Sequence, residues 1–204
     1  KYYDRDSIEK DFLDRSEFMF KNHVPVWVGE FGPVYTGVPA KDEMRYQLLK
    51  DQLDIYNKYK VSWCIWLYKD LGLQAIMAQD ENTPYMKLTS DFRAKKNYYG
   101  ADSWGSTDEN VRPELAPLEN LLSKEFPSYD PFPSGQEREV ALIVRHILIA
   151  EALLPEYCNL FAGLTDEQVK ALANSFEFKN YNKRQRLEDI FMRKLDQPVS
   201  ALHK

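Results

Sequence analysis

The chain has 204 residues, a formal charge of -5 and a pI near 5.3, with 44% hydrophobic and 14% aromatic side chains. This composition supports one sizeable core or a share of a larger one and excludes a disordered chain. The acidic balance argues against a nucleic-acid binder, which meets phosphates with a basic excess.

Cys64 and Cys158 are too few for a disulfide framework or a Cys-rich metal site, and no Asn-x-Ser/Thr acceptor occurs, since Asn82-Thr83-Pro84 lacks the third residue. The apolar run ALIVRHILIAEALL is broken by Arg145, His146 and Glu151, short of the roughly 20 residues a spanning helix needs, so no membrane segment is expected. The opening KYYDRDSIEKDFLDR is charged from Lys1 onward and shows no signal or transit peptide, which leaves room for a missing N-terminal portion.

In chain order, Ile8, Phe12, Leu13, Met19 and Phe20 predict a helix over residues 8–21. Val24-Pro-Val-Trp-Val28 is short, β-branched and continuously apolar, the pattern of a strand buried on both faces of a parallel sheet. Gly29-Glu-Phe-Gly-Pro33 opens a loop. A helix over 41–58 presents Met44, Leu48, Leu49, Leu53, Ile55, Tyr56 and Tyr59 as an apolar stripe, and Val61-Ser-Trp-Cys-Ile-Trp-Leu67 reads as a second buried strand. The alternation predicts an α/β arrangement with parallel pairing, although two strands cannot make such a sheet alone.

Five of the eleven prolines, Pro113, Pro117, Pro127, Pro131 and Pro133, then mark a connector with at most a short helix around 118–124; residues 98–137 carry eight acids against two basic residues. Beyond it, Val140, Ile143, Val144, Ile147, Ala150 and Leu154 predict a helix over 137–154. Thr165-Asp-Glu-Gln168 forms a capping box for the next helix, and a last helix covers 183–195. The organisation is thus 1–112, a proline-rich acidic connector over 113–136, and an all-helical extension over 137–204.

Strand alternation puts Val26, Val28 and Glu30 on one face and Trp27 on the other, so that Glu30 ends a buried strand, desolvated yet reachable, where reactive groups of parallel sheets and barrels gather. Gly29 and Gly32 clear space beside it. The bland alternative is a loop acid facing water or a basic neighbour. Ser62, Cys64 and Trp66 share a face of the second strand, and Trp66 is either a platform for the C–H face of a sugar or core filler.

VPVWVGEFGPVY at 24–35 followed by VSWCIWLYKDLGLQ at 61–74 resembles strands seven and eight of glycoside hydrolase family 5, the cellulase-type (β/α)8 enzymes. The resemblance covers roughly residues 8–100. It implies the last strands and helices of a partial TIM barrel, with Glu30 as the nucleophile of a retaining β-glycosidase and Trp66 as floor of the adjoining sugar subsite. Tyr68, Tyr35 and Phe31 are expected rim contacts, or packing between loops. It also implies a carbohydrate substrate such as a β-glucan, no cofactor, no metal, and an extracellular setting. The helical tail resembles the C-terminal extension of some fungal-type members, with packing against the barrel's outer helices as the expected role.

Such a mechanism needs a second carboxyl group about 5 to 5.5 Å from the first. The family's acid/base lies in an Asn-Glu pair, and this chain has no Asn-Glu dipeptide. Asp70, Asp80 and Glu81 read as turn acids rather than substitutes. His23, His146 and His203 form no triad or metal-ligand spacing, and no glycine-rich phosphate loop occurs. The alternative expectation is therefore a non-catalytic fragment, a binding or scaffolding piece whose complement is the missing N-terminal part of the barrel.

Overall fold

The computed structural model of the protein describes residues 4–102, 107–131 and 135–195; Pro133 and His203 lie outside the described residues. The order is α1 (Arg5–Lys21), β1 (Trp27–Phe31), α2 (Pro39–Lys58), β2 (Ser62–Ile65), β3 (Lys69–Asp70), β4 (Met77–Gln79), α3 (Pro84–Leu88), α4 (Ser90–Tyr98), α5 (Arg112–Glu125), α6 (Gln136–Ala141), a π-helical stretch (Leu142–Ile149), α7 (Ala150–Asn159), α8 (Asp166–Asn174), a 3-10 turn (Phe178–Asn180), β5 (Tyr181–Lys183) and α9 (Gln185–Leu195). Described residues up to 79 and from 181 onward form one compact unit, and 80–180 form another. This partition differs from one drawn at the proline-rich connector, because α9 buries Leu187 and Ile190 in the core of the first unit.

In the first unit α1 starts at a reciprocal cap: the Ser7 amide donates to the Asp4 carboxylate at 2.8 Å and the Asp4 amide to the Ser7 hydroxyl at 3.0 Å. Ile8, Phe12 and Phe20 of this helix pack on a core that contains the fully buried Leu49, Leu53 and Ile55 of α2. Each such side chain contributes about 1.5 to 3 kcal/mol of hydrophobic stabilisation. Met44, expected in the α2 stripe, is exposed.

β1 and β2 pair in parallel across α2, with Trp27 opposite Ser62, Val28 opposite Trp63 and Phe31 opposite Ile65. Two residues of β1, Gly29 and Glu30, therefore stand opposite one of β2, Cys64, between the last two pairs, which is a bulge. The bulge resets the alternation. Val28, Phe31, Trp63 and Ile65 lie toward the core, while Trp27, Glu30, Ser62 and Cys64 are exposed. Two sequence expectations are thereby corrected: the strands are buried on one face rather than two, and Glu30 shares its side with Trp27 rather than with Val26 and Val28.

A second small sheet has the order β3-β4-β5, with β3 and β4 parallel and β5 antiparallel to β4. It brings the C-terminal segment back, after which α9 packs on α2 and Phe191 stacks on Trp63 at 6.2 Å.

The second unit is helical. α5 runs for 14 residues through the expected connector, with Pro113 in its first turn, where a missing amide is tolerated, and Leu115 in the core. The capping box of α8 is present, with the Gln168 amide 3.3 Å from the Thr165 hydroxyl and the return bond at 2.8 Å. The helix from residue 136 buries Val140, Ala141, Arg145 and Leu153, whereas Ile143, Ile147 and Leu154 are exposed. The expected stripe assumed an uninterrupted α period, and the π-helical stretch, with its wider turns, shifts the phase of the buried face.

Candidate functional site

Glu30 is the penultimate residue of β1, within the bulge. Its side chain is exposed and makes no hydrogen bond or ion pair among the described residues. The expected desolvation is absent because only two strands and their flanking helices surround it. Trp66 follows β2 directly, and its backbone amide donates at 2.9 Å to the carbonyl of Phe31, the residue after Glu30. The two strand ends are therefore locked side by side. Trp66 is 44% exposed and Tyr68 56% exposed, so both rings reach solvent just beyond the end of β2. The Trp66–Leu67 peptide bond is cis.

Gly32 is the glycine this junction requires. Its φ is +138°, and a Cβ there would stand 3.0 Å from both the Trp66 carbonyl oxygen and the Ile65 Cδ1. Gly29 is different, since a Cβ on it would meet open space.

Phe31 and Tyr35 are not rim contacts. Phe31, 9% exposed, meets Tyr56 edge-on at 4.9 Å and Trp63 at 5.7 Å, because the bulge turns it inward. Tyr35, 5% exposed, stacks on Tyr46 at 4.8 Å. Burial pushes its phenol pKa well above the usual value.

The loop after β1 is held from α2. The Asp42 carboxylate accepts from the Thr36 amide at 2.7 Å, the Thr36 hydroxyl at 2.9 Å and the Gly37 amide at 2.9 Å, while Arg45 donates to the Val34 carbonyl. Burial works to raise the Asp42 pKa, but these hydrogen bonds prevail and hold it below the ordinary 3.8.

The loop between β3 and β4 is organised by Asp70, the last residue of β3, whose carboxylate accepts from the amides of Gly72 (2.7 Å), Leu73 (3.1 Å), Gln74 (2.7 Å) and Ala75 (3.1 Å). Asp70 thus folds its own loop and has no lone pair left over for catalysis. Gln74 then donates to the Gly32 carbonyl at 3.0 Å, and the Tyr35 amide to the Leu73 carbonyl at 2.7 Å, so the two loops are stitched together. Asp80 caps its own turn and Glu81 pairs with Arg93 at 2.8 Å.

Asp42, Gln74 and Arg184, whose guanidinium lies 4.9 Å from the Tyr35 ring, were not legible as site-supporting residues. Asp70 was legible only as a turn acid. Arg184 had no local signal, being more than 100 residues from the loop it touches. Among the described residues no cluster of three or more His, Cys, Asp or Glu side chains forms a metal site, and no helix is long and apolar enough to cross a membrane.

No protein-family model matches the sequence, and no solved structure matches it. The chain is 38% identical over 198 residues to a β-xylosidase of Phanerodontia chrysosporium, an alignment that takes in 91% of this chain and 42% of that protein. The chain therefore spans less than half the length of this curated relative, and it is similar throughout that span to a β-glycoside hydrolase.

Proposed function

We propose that the chain is the portion of a retaining β-glycosidase that carries the nucleophile, within a (β/α)8 barrel whose other strands lie elsewhere in the whole protein. The observation that carries this reading is the exposed Glu30 at the C-terminal end of β1 with Trp66, partly exposed, directly after the end of the adjacent parallel strand β2 and bonded by its backbone amide to Phe31. Interior faces of barrels bear such residues, and reaction centres collect at that end of the strands. The similarity to a β-xylosidase supports a β-glycoside as substrate and adds β-xylosides to the β-glucans that the family 5 resemblance suggests.

In this reading Glu30 attacks the anomeric carbon from the face opposite the leaving group. The C–O bond breaks as the departing oxygen takes a proton from a second carboxylic acid, and a glycosyl-enzyme ester forms on Glu30. The second residue, now a carboxylate, removes a proton from water. The water displaces Glu30, so two inversions give net retention. Trp66 supports the reacting ring through its apolar face. Burial of the carboxylate by the remaining strands would supply the desolvation it lacks here.

The 204 residues by themselves are thus expected to be inactive, since the acid/base partner is not among them. A 2-deoxy-2-fluoro aryl β-xyloside or β-glucoside, which slows release of the ester, tests the assignment on the full-length protein. The expected result is a sugar adduct on the peptide containing Glu30; an adduct on another carboxylate, with Glu30 unmodified, would sink it.

A further inference from the structure

Arg184 occupies a position that the reading above does not use. It lies between β5 and α9, and its backbone amide donates to the Ile76 carbonyl at 2.8 Å, which fixes the chain beside β4. From there its half-buried guanidinium donates to the Gly72 carbonyl and, at 3.4 Å, to the Leu73 carbonyl. The plane also lies over the buried Tyr35 ring, 4.9 Å from its centre. The Leu73 carbonyl is the same one that accepts the Tyr35 amide at 2.7 Å. One side chain therefore grips both loops, the one after β1 that leads away from Glu30 and the one between β3 and β4, downstream of Trp66.

The chemistry of the contact suits arginine and no other residue. A planar fork can donate to two successive carbonyls while its face rests on an aromatic ring; an ammonium ion cannot do both. β5 is anchored in turn by its pairing with β4 and by the Lys69 ammonium 4.2 Å from the Tyr181 ring.

We propose that Arg184 is a positioning residue: the C-terminal β5–α9 segment uses it to clamp the loop after β1 to the loop between β3 and β4 and so to set the geometry of Glu30 relative to Trp66. The catalytic consequence rests on the glycosidase reading. The clamp itself does not.

Two measurements on the full-length protein separate these. The first is amide exchange. In Arg184→Met the amides of Tyr35, Leu73 and Gln74 should exchange at least about tenfold faster, while amides in the middle of α2 keep their wild-type rates. Unchanged exchange at Tyr35 and Leu73 overturns the clamp whatever the activity does. The second is steady-state hydrolysis of an aryl β-glycoside, where Arg184→Met should lower kcat about tenfold to a hundredfold with KM within about threefold, because the loss is in alignment rather than in sugar binding. Arg184→Lys should recover less than half of the lost kcat on a logarithmic scale. Equal kcat in wild type and Arg184→Met, in a protein that Glu30→Gln inactivates, overturns the positioning role. Activity that survives Glu30→Gln removes Glu30 as the nucleophile, and with it the catalytic consequence, and leaves the exchange result to decide the clamp. Should Arg184→Met not fold, Arg184→Lys carries both measurements, with faster exchange and lower kcat expected and wild-type values overturning the proposal.

Discussion

On one face of the β1–β2 pair, Val28, Phe31, Trp63 and Ile65 pack against α1, α2 and α9; on the other, Trp27, Glu30, Ser62 and Cys64 meet solvent, with the Trp66 ring at the strand end. The same ten or so residues of backbone serve both. The packed face has aromatic rings in edge-on contact at 4.9 and 5.7 Å and supplies stability. The open side has a carboxylate with no side-chain partner among the described residues, the Trp27 indole largely uncovered and the Trp66 indole about half covered. The bulge between Val28 and Phe31 is what keeps the two roles apart, since without the extra residue Phe31 and Glu30 would exchange sides.

Substitutions can break or sharpen this contrast. The largest effect is expected on the open face but in activity alone. Glu30→Gln in the full-length protein should lower kcat by about ten-thousandfold, near 5 kcal/mol of barrier, with a thermal midpoint within about 2 °C of wild type. Next comes Phe31→Ala, one residue away on the packed face, which should cost about 3 to 5 kcal/mol of unfolding free energy through the cavity it leaves, measurable by denaturant titration. If the two neighbours gave similar stability losses, the division of faces would be mistaken.

Trp66→Ala should reduce kcat/KM for an aryl β-glycoside about tenfold to a hundredfold, with a smaller effect on stability because the ring is only half covered. Asp42→Asn tests the loop support rather than the faces. The Asp42 pKa is lowered on folding, so its contribution is complete above the ordinary 3.8 and is lost as the pH falls through the folded value. The variant should be about 1 kcal/mol less stable at pH 7, and the two stability curves should converge in acid. The smallest change is expected for Trp27→Ala: at 73% exposure it should shift unfolding by less than about 0.5 kcal/mol.

Much of this was written locally. The helix caps at Asp4–Ser7 and Thr165–Gln168, the α2 core positions Leu49, Leu53 and Ile55, the two short apolar strands and their parallel order follow from spacing and residue type. That Glu30 lies at the end of β1 and Trp66 just beyond the end of its neighbour β2 was legible in the same way. The π-helical stretch was not, because the periodic pattern of Val140, Ile143, Ile147 and Leu154 is what an ordinary helix would show.

What the tertiary structure alone decided concerns side and distance. Alternation counts residues and cannot see a bulge, so the faces of Glu30 and Phe31 had to come from the pairing register. Nor can a local pattern connect Arg184 with Gly72, because their contact depends on the C-terminal segment returning as β5 to the edge of β4. Propensity and periodicity act over a turn or two of chain, whereas register and closure are set by the packing free energy of the whole unit; the first fixed the pieces, and the second fixed which of their side chains face the site.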